Sequence, residues 1–168
     1  MTDLVDLLCF RGYHGKPPAM KMVDSIETVL RHKGGQVWSV SPTASVYEAI
    51  EMMSERHAGA LLVITGGVLV GVISERDYAR KVILQGKSSR QTEVQEIMTS
   101  PVISVTPGHS VDECMRVMTA SRIRHLPVVS NDAVVGVISI GDLVNWIISA
   151  QEETIHQLHD YIAGKYPG

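Results

Sequence analysis

Cysteine, long apolar runs and surplus positive charge are all scarce in this chain, and each scarcity removes a class of protein. Its 168 residues hold two cysteines, Cys9 and Cys114, far apart and in no Cys-x-x-Cys pair. That excludes a disulfide framework and a dithiol redox centre. No apolar run approaches the roughly 18 residues that span a bilayer. Asp3 and Asp6 stand where a secretory signal needs a basic n-region. The expectation is a cytoplasmic protein with no membrane partner. Lys and Arg number 15 against 18 Asp and Glu, leaving a net charge of −3 spread along the chain. A duplex-binding protein carries a basic surplus, so nucleic acid is not an expected partner.

What is there is a repetition. Gly71-Val72-Ile73-Ser74-Glu75-Arg76-Asp77 returns 65 positions later as Gly136-Val137-Ile138-Ser139-Ile140-Gly141-Asp142. Residues 37–83 align with 102–148 without a gap, roughly a third of them identical. Each copy opens with an extended segment closed by Pro42 or Pro107. A helix follows, announced by a Ser-x-x-Glu capping box: Ser45 with Glu48, and Ser110 with Glu113. The stripes Val46, Ile50, Met53 and Val111, Met115, Met118 predict the buried faces, with methionine as core filler rather than ligand. Cys114 aligns with Ala49, which predicts a small buried thiol. A β-hairpin then turns at Gly66-Gly67 or Asn131-Asp132, and a Ser-x-x-Asp junction leads into a second helix. The fold class is therefore α/β (α+β), a tandem pair of β-α-β-β-α repeats with pseudo-two-fold symmetry. A unit of about 60 residues only marginally buries its own core, and two together solve that.

Around the repeats, residues 1–21 predict a poorly structured, mobile leader broken by Gly12, Gly15, Pro17 and Pro18. Residues 22–35 predict a short helix, with Val23, Ile26, Val29 and Leu30 on one face and Gly34-Gly35 as its stop. The first repeat takes 36–84, an exposed polar linker 85–97, the second repeat 98–150, and a helix extension with its tail 151–168. The last helix runs from about Asp142 to Ile162, and its apolar side outlasts the duplicated unit. Such a stripe packs on a partner chain, which predicts a homodimer. Glu152, Glu153, His156 and His159 on that extension read as an exposed polar face rather than a metal site.

The chemistry centres on the Ser-x-x-Asp junctions. A strand leading into a helix N-terminus presents N–H groups and a partial positive charge, which favour phosphate. The aspartate one turn in suits ribose instead, accepting from its vicinal hydroxyls. Arg122 and Arg124 are available to phosphate on a small molecule. The opposing reading is that Ser74 with Asp77 and Ser139 with Asp142 are helix caps and nothing more. Spacing alone leaves both readings open. His125 has no nucleophile or orienting carboxylate suggested beside it, so no catalytic residue is assigned.

The doubled pattern resembles the cystathionine-β-synthase (CBS) domain pair, or Bateman module, over about 36–148. Its carriers are the two junction motifs and Arg122-Ile123-Arg124-His125-Leu126-Pro127-Val128, which resembles that family's second-strand motif. Residues 79–89 are similar to small stand-alone members from bacteria and plant organelles. The resemblance implies two composite clefts for adenine nucleotides. One joins Ser74, Arg76 and Asp77 to Ile123, Arg124, His125 and Pro127, with Thr99 and Ile103 near the base and Arg122 as a phosphate candidate. The other joins Ser139, Gly141 and Asp142 to Ala58, Gly59 and Ala60, with Trp38 near the base and Lys33 in reach. The implied ligands are AMP, ADP, ATP or NAD, with no catalytic cofactor and no metal. The implied function is a nucleotide-sensing regulatory module signalling to a separate, unidentified protein. A nucleotide-processing enzyme and a ligand-free dimerisation module are the alternatives. Cationic residues concentrate on the Asp77 side, which predicts unequal clefts. Leu62 stands where the second copy has Pro127, a departure that bears on the backbone of the Asp142 cleft.

Overall fold

The computed structural model describes residues 24–163. The leader, Cys9, Val23 and the last five residues lie outside them.

Both Ser-x-x-Glu boxes close. Ser45 and Ser110 cap α2 (Val46–Arg56) and α5 (Val111–Ser121), each accepting from the glutamate N–H while the glutamate accepts from the serine N–H at 2.8 Å. The buried faces are Val46, Ala49, Met53 and Val111, Cys114, Met118, with Ile50 and Met115 packed at their margins. Burial, with Glu113 adding to it, pushes the Cys114 thiol up to about 11. Each helix ends on a non-glycine residue in the left-handed region, His57 at φ 52° and Arg122 at φ 55°.

The hairpins pair β2 (Ala60–Thr65) with β3 (Val68–Ser74), and β4 (His125–Ser130) with β5 (Ala133–Ser139). Both two-residue turns have positive φ throughout, at Gly66-Gly67 and at Asn131-Asp132. That twist matches the twist of the strands they join. The register sets Ala60 opposite Ser74 and His125 opposite Ser139. The helices α3 (Glu75–Lys81) and α6 (Ile140–Ile162) leave directly from those serines.

The opening segments differ. In the first repeat β1 (Ser39–Val40) runs parallel to β2, and the Leu62 N–H donates to the Trp38 carbonyl at 3.1 Å. In the second repeat the expected extended segment keeps only one bridge, Val105 to Val128. Pro127 stands where Leu62 does and has no N–H to give, so the ladder loses the rung that would tie Ile103. Ile103 is 44% exposed.

The segment expected as an exposed linker is only partly one. Within it, Thr92 is buried and α4 (Val94–Ile97) sinks Val94 and Ile97 into the core of the first repeat. The N-terminal helix α1 (Ile26–Lys33) puts Ile26 and Val29 into the core of the second. Each leading helix is thus lent to one repeat from outside its β-α-β-β-α unit. The bonds match in pairs: Val111 N to Asp24 O with Val46 N to Thr92 O, and Ile26 N to His109 O with Val94 N to Ala44 O. Leu30 lies over Gly136 as Met98 lies over Gly71, where an added Cβ would come within 3.0 Å of Leu30 Cδ1 or Met98 Cγ. A larger residue at either glycine would force the Met98 or Leu30 side chain to shift.

Candidate functional site

Ser74 and Ser139 repeat the capping geometry of the first helices with a shorter partner. Oδ2 of Asp77 accepts from the Ser74 N–H at 3.0 Å and its hydroxyl at 2.6 Å. Oδ2 of Asp142 accepts from Ser139 in the same way, at 2.6 and 2.7 Å. Both junctions are therefore helix caps. The Glu75 N–H donates to Gly59 O and the Ile140 N–H to Arg124 O, while the Asp77 and Asp142 N–H groups return to the serine hydroxyls. The expectation that the helix ends offer N–H groups to phosphate thereby narrows to one group at each junction, the N–H of Arg76 and that of Gly141, with the charged side chains beside them.

Those same two backbone bonds stitch the strand after α2 to α3, and the strand after α5 to α6. They fix each second-strand motif beside a junction, and packing of the two repeats opens a cavity on either side. The first, about 390 Å³, is lined by Ser74, Arg76 and Asp77 with Thr99, Ile103, Arg122, Ile123, Arg124 and His125. The second, about 330 Å³, is lined by Ser139 and Asp142 with Lys33, Trp38, Ala58, Gly59 and Ala60. Both fall at the small end of ligand-pocket sizes. Two expected members stand aside. Pro127 is buried within β4 and reaches neither cavity, its carbonyl taken by the Val105 N–H at 3.0 Å. Gly141 lies inside the first turn of α6 and has no side chain to reach the wall.

Further lining residues are Val72, Arg80, Val102 and Ser121 in the first cavity, and Gly34, Gln36, Arg56, His57 and Val137 in the second. Arg80 was legible: it follows Arg76 by four residues and so shares its helix face. His57 and Arg122 mark the left-handed ends of α2 and α5, where glycine fits with less strain. Each instead carries a basic side chain into a cavity.

The two cavities differ in charge. Four arginines line the first: Arg76, Arg80, Arg122 and Arg124. Arg76 also donates to the Arg122 carbonyl at 3.1 Å, a link between the repeats across the cavity. Asp77 is paired on its other oxygen with Lys81 at 2.8 Å, within its own helix. In the second cavity Lys33 reaches from α1 to Asp142 at 2.5 Å, and Arg56 stacks its guanidinium 4.4 Å from the Trp38 ring centre. Both cations there are already engaged. Burial pushes the Asp142 carboxyl up, but Lys33 and the Ser139 donors outweigh it and hold the group below its ordinary value.

His125 lines both cavities. It faces Gly59, where a Cβ would meet its Cε1 at 3.3 Å. Burial, then the charges of Arg124 and Lys33, push its ring below the ordinary histidine value, against an opposing pull from Asp142. Among the described residues no cluster of three or more acidic, histidine or cysteine side chains is arranged to hold a metal. Glu152, Glu153, His156 and His159 lie exposed on α6. No helix among the described residues is long and apolar enough to cross a membrane.

Comparison with known proteins gives concordant results. The family model for the CBS domain matches residues 26–83 and 94–149. The mitochondrial CBS domain-containing protein CBSX3 of Arabidopsis thaliana is 39% identical over 174 residues, covering 95% of this chain and 84% of the relative. The structure of a putative signal-transduction protein with CBS domains from Burkholderia ambifaria matches with TM-score 0.74 and 46% identity, over 76% of this chain and 96% of that one. The CBS domain pair of protein MJ0100, solved in complex with 5′-methylthioadenosine and S-adenosyl-L-methionine, matches with TM-score 0.68 and 25% identity, over 76% and 98%.

Proposed function

The chain belongs to the CBS domain family, and from that premise we propose that it is a regulatory module sensing adenine nucleotides. An AMP-, ADP- or ATP-type ligand, with NAD in the same class, binds between the repeats. Its occupancy is read by a separate protein. The observation that carries this is the convergence of Arg76 and Arg80 from one repeat with Arg122 and Arg124 from the other, around a serine–aspartate junction. Arginine pairs bidentately with phosphate, while a carboxylate beside it accepts from ribose hydroxyls. The adenosine ligands held by the MJ0100 pair support the same class.

The cavities take different ligands in this reading. The Asp77 cavity takes the phosphorylated one. The Asp142 cavity takes a less charged adenosine compound, because Lys33 and Arg56 already have partners. The module is regulatory rather than catalytic, works as a homodimer, and acts in the cytosol.

Calorimetry tests the assignment with AMP and 5′-methylthioadenosine on Asp77→Ala and Asp142→Ala. AMP affinity should fall mainly in Asp77→Ala, and equal losses in both variants would refute the asymmetry. Each substitution also removes the carboxylate that accepts from the capping serine's N–H and hydroxyl, so thermal unfolding of both variants checks that the fold persists. Ligand that binds only the folded state raises stability by ~2.7 kcal/mol at a hundredfold excess over Kd. No thermal shift with any adenosine compound would favour the dimerisation role.

A further inference from the structure

The second half of α6 stands clear of the domain. From 151 to 162 every residue is exposed except the half-buried Asp160. An isolated helix of that length is marginal in water. Yet this one carries Ile155, Leu158 and Ile162, exposed by 65%, 57% and 83%.

Their spacing is specific. Val144, Ile148, Gln151, Ile155, Leu158 and Ile162 alternate by four and three residues, the 3.5-residue period of a coiled-coil seam. This seam is separate from the stripe that holds α6 to its own repeat, which is Ile140, Leu143 and Ile147. Val144 stands one residue, about 100°, around the helix from buried Leu143. The helix therefore has two apolar edges. The second has no partner among the described residues.

The residues on that seam also say what covers it. Isoleucine fills all three a positions, 148, 155 and 162, and the d positions hold Val144, Gln151 and Leu158. β-Branched a positions favour two parallel strands when leucine holds d, as it does at 158, the one d position of the three that carries it. In a parallel, in-register pair Gln151 meets Gln151, and the two amides bond to each other. Beyond the domain the flanking contact becomes Thr154 with His159, without a like-charged pair. An antiparallel pair centred on the same seam sets Gln151 against Ile155, which leaves the amide unpartnered. It also brings Glu152 against Glu152. Packing, polar satisfaction and charge thus agree on one occupant.

We propose that α6 pairs with α6 of a second copy of this chain as a parallel, in-register two-stranded coiled coil. This rests on the homodimer reading above and gives that dimer its geometry, with both CBS modules at the same end of the coil.

Cysteine cross-linking in the full chain tests it, in a Cys9→Ser background with Cys114 left buried. Leu158→Cys faces its twin in the parallel coil, whereas Gln157→Cys points outward. A disulfide requires Cβ atoms about 4 Å apart, so mild oxidation should give at least ~10-fold more covalent dimer from Leu158→Cys. Equal yields from the two variants, or none from Leu158→Cys, would overturn the coil. A mixture of Ile148→Cys and Leu158→Cys chains that cross-links to each other more than Leu158→Cys does to itself would establish the antiparallel pair instead. Sedimentation of the same samples separates the two ideas: a dimer that fails to cross-link at 158 refutes the coil and leaves the dimer standing.

Discussion

Lys33 holds Asp142 from outside the repeat that aspartate belongs to, its ammonium 2.5 Å from Oδ2 while also donating to Val137 O at 3.0 Å. Asp77 draws its lysine from its own helix, Lys81. One cavity is thus latched by a neighbouring element and the other is self-contained.

That latch has a pH signature. Burial raises the Asp142 carboxyl, and Lys33 with Ser139 more than reverses it, leaving it below its ordinary 3.8. A depressed carboxylate contributes stability that is present above 3.8 and is lost as pH falls through the folded value. Urea unfolding of Lys33→Met should show a deficit at neutral pH that vanishes at strongly acid pH. The pair is partly exposed, so the deficit should stay below about 1 kcal/mol. A deficit independent of pH would assign Lys33 a packing role instead.

The glycines under the lent helices should be intolerant. Gly71→Ala and Gly136→Ala drive a Cβ into Met98 and Leu30. Each should cost about 1–3 kcal/mol by overpacking. Combining Gly71→Ala with Met98→Ala should recover part of that cost in a double-mutant cycle. Strict additivity in denaturant unfolding would show that the two residues do not share the contact.

His57 and Arg122 should show the reverse, stability withheld for the sake of a side chain. Both occupy the left-handed region, at φ 52° and 55°. His57→Gly and Arg122→Gly relieve that strain, offset in part by glycine's freedom in the unfolded chain. The expected net gain is about 0.5–1 kcal/mol each. Arg122→Gly should at the same time weaken AMP binding by calorimetry, since it strips one arginine from the first cavity.

His125 should titrate below 6.5, because burial and then Arg124 and Lys33 disfavour its charged form. A depressed histidine means that the unfolded chain takes up its proton first, so stability falls as pH drops from 6.5 through the folded value. NMR titration of the full chain, assigned through His125→Gln, measures the midpoint. Lys33→Met should move it upward. A midpoint at or above 6.5 would contradict the buried position between the cavities.

The repeat, its capping boxes and its hairpin turns were legible because each is a local pattern of a few residues. Ser45 with Glu48 announces a cap wherever it stands, and Asn131-Asp132 announces a turn. The exchange of leading helices was not legible, for a specific reason. Ungapped alignment at an offset of 65 starts at Val37, whereas Ile26, Val29 and Leu30 correspond to Val94, Ile97 and Met98 at an offset of 68. The three-residue difference is most of a turn, and α1 is longer than α4, at 8 against 4 residues. A short helix inside a polar stretch has too little periodicity to declare itself. The second-strand motif was placed in the first cavity as far as His125, but Pro127 shapes that cavity from behind: by withholding an N–H it loosens the segment carrying Ile103. Such an effect acts through a missing bond, and no residue pattern displays it.

The lending of α1 to the second repeat also sets an order in time. Ile26 leaves the ribosome about 80 residues ahead of Pro107 and His109, whose carbonyls receive the first N–H groups of α1. At ~5–20 residues per second that is roughly 4 to 16 s of synthesis. Throughout it, Ile26, Val29 and Leu30 have nothing of their own chain to cover. The first repeat is likewise unfinished until Val94 and Ile97 emerge. The nascent chain passes through a long interval as an adhesive half-molecule, a window for chaperones to hold it or for two half-made chains to trade helices.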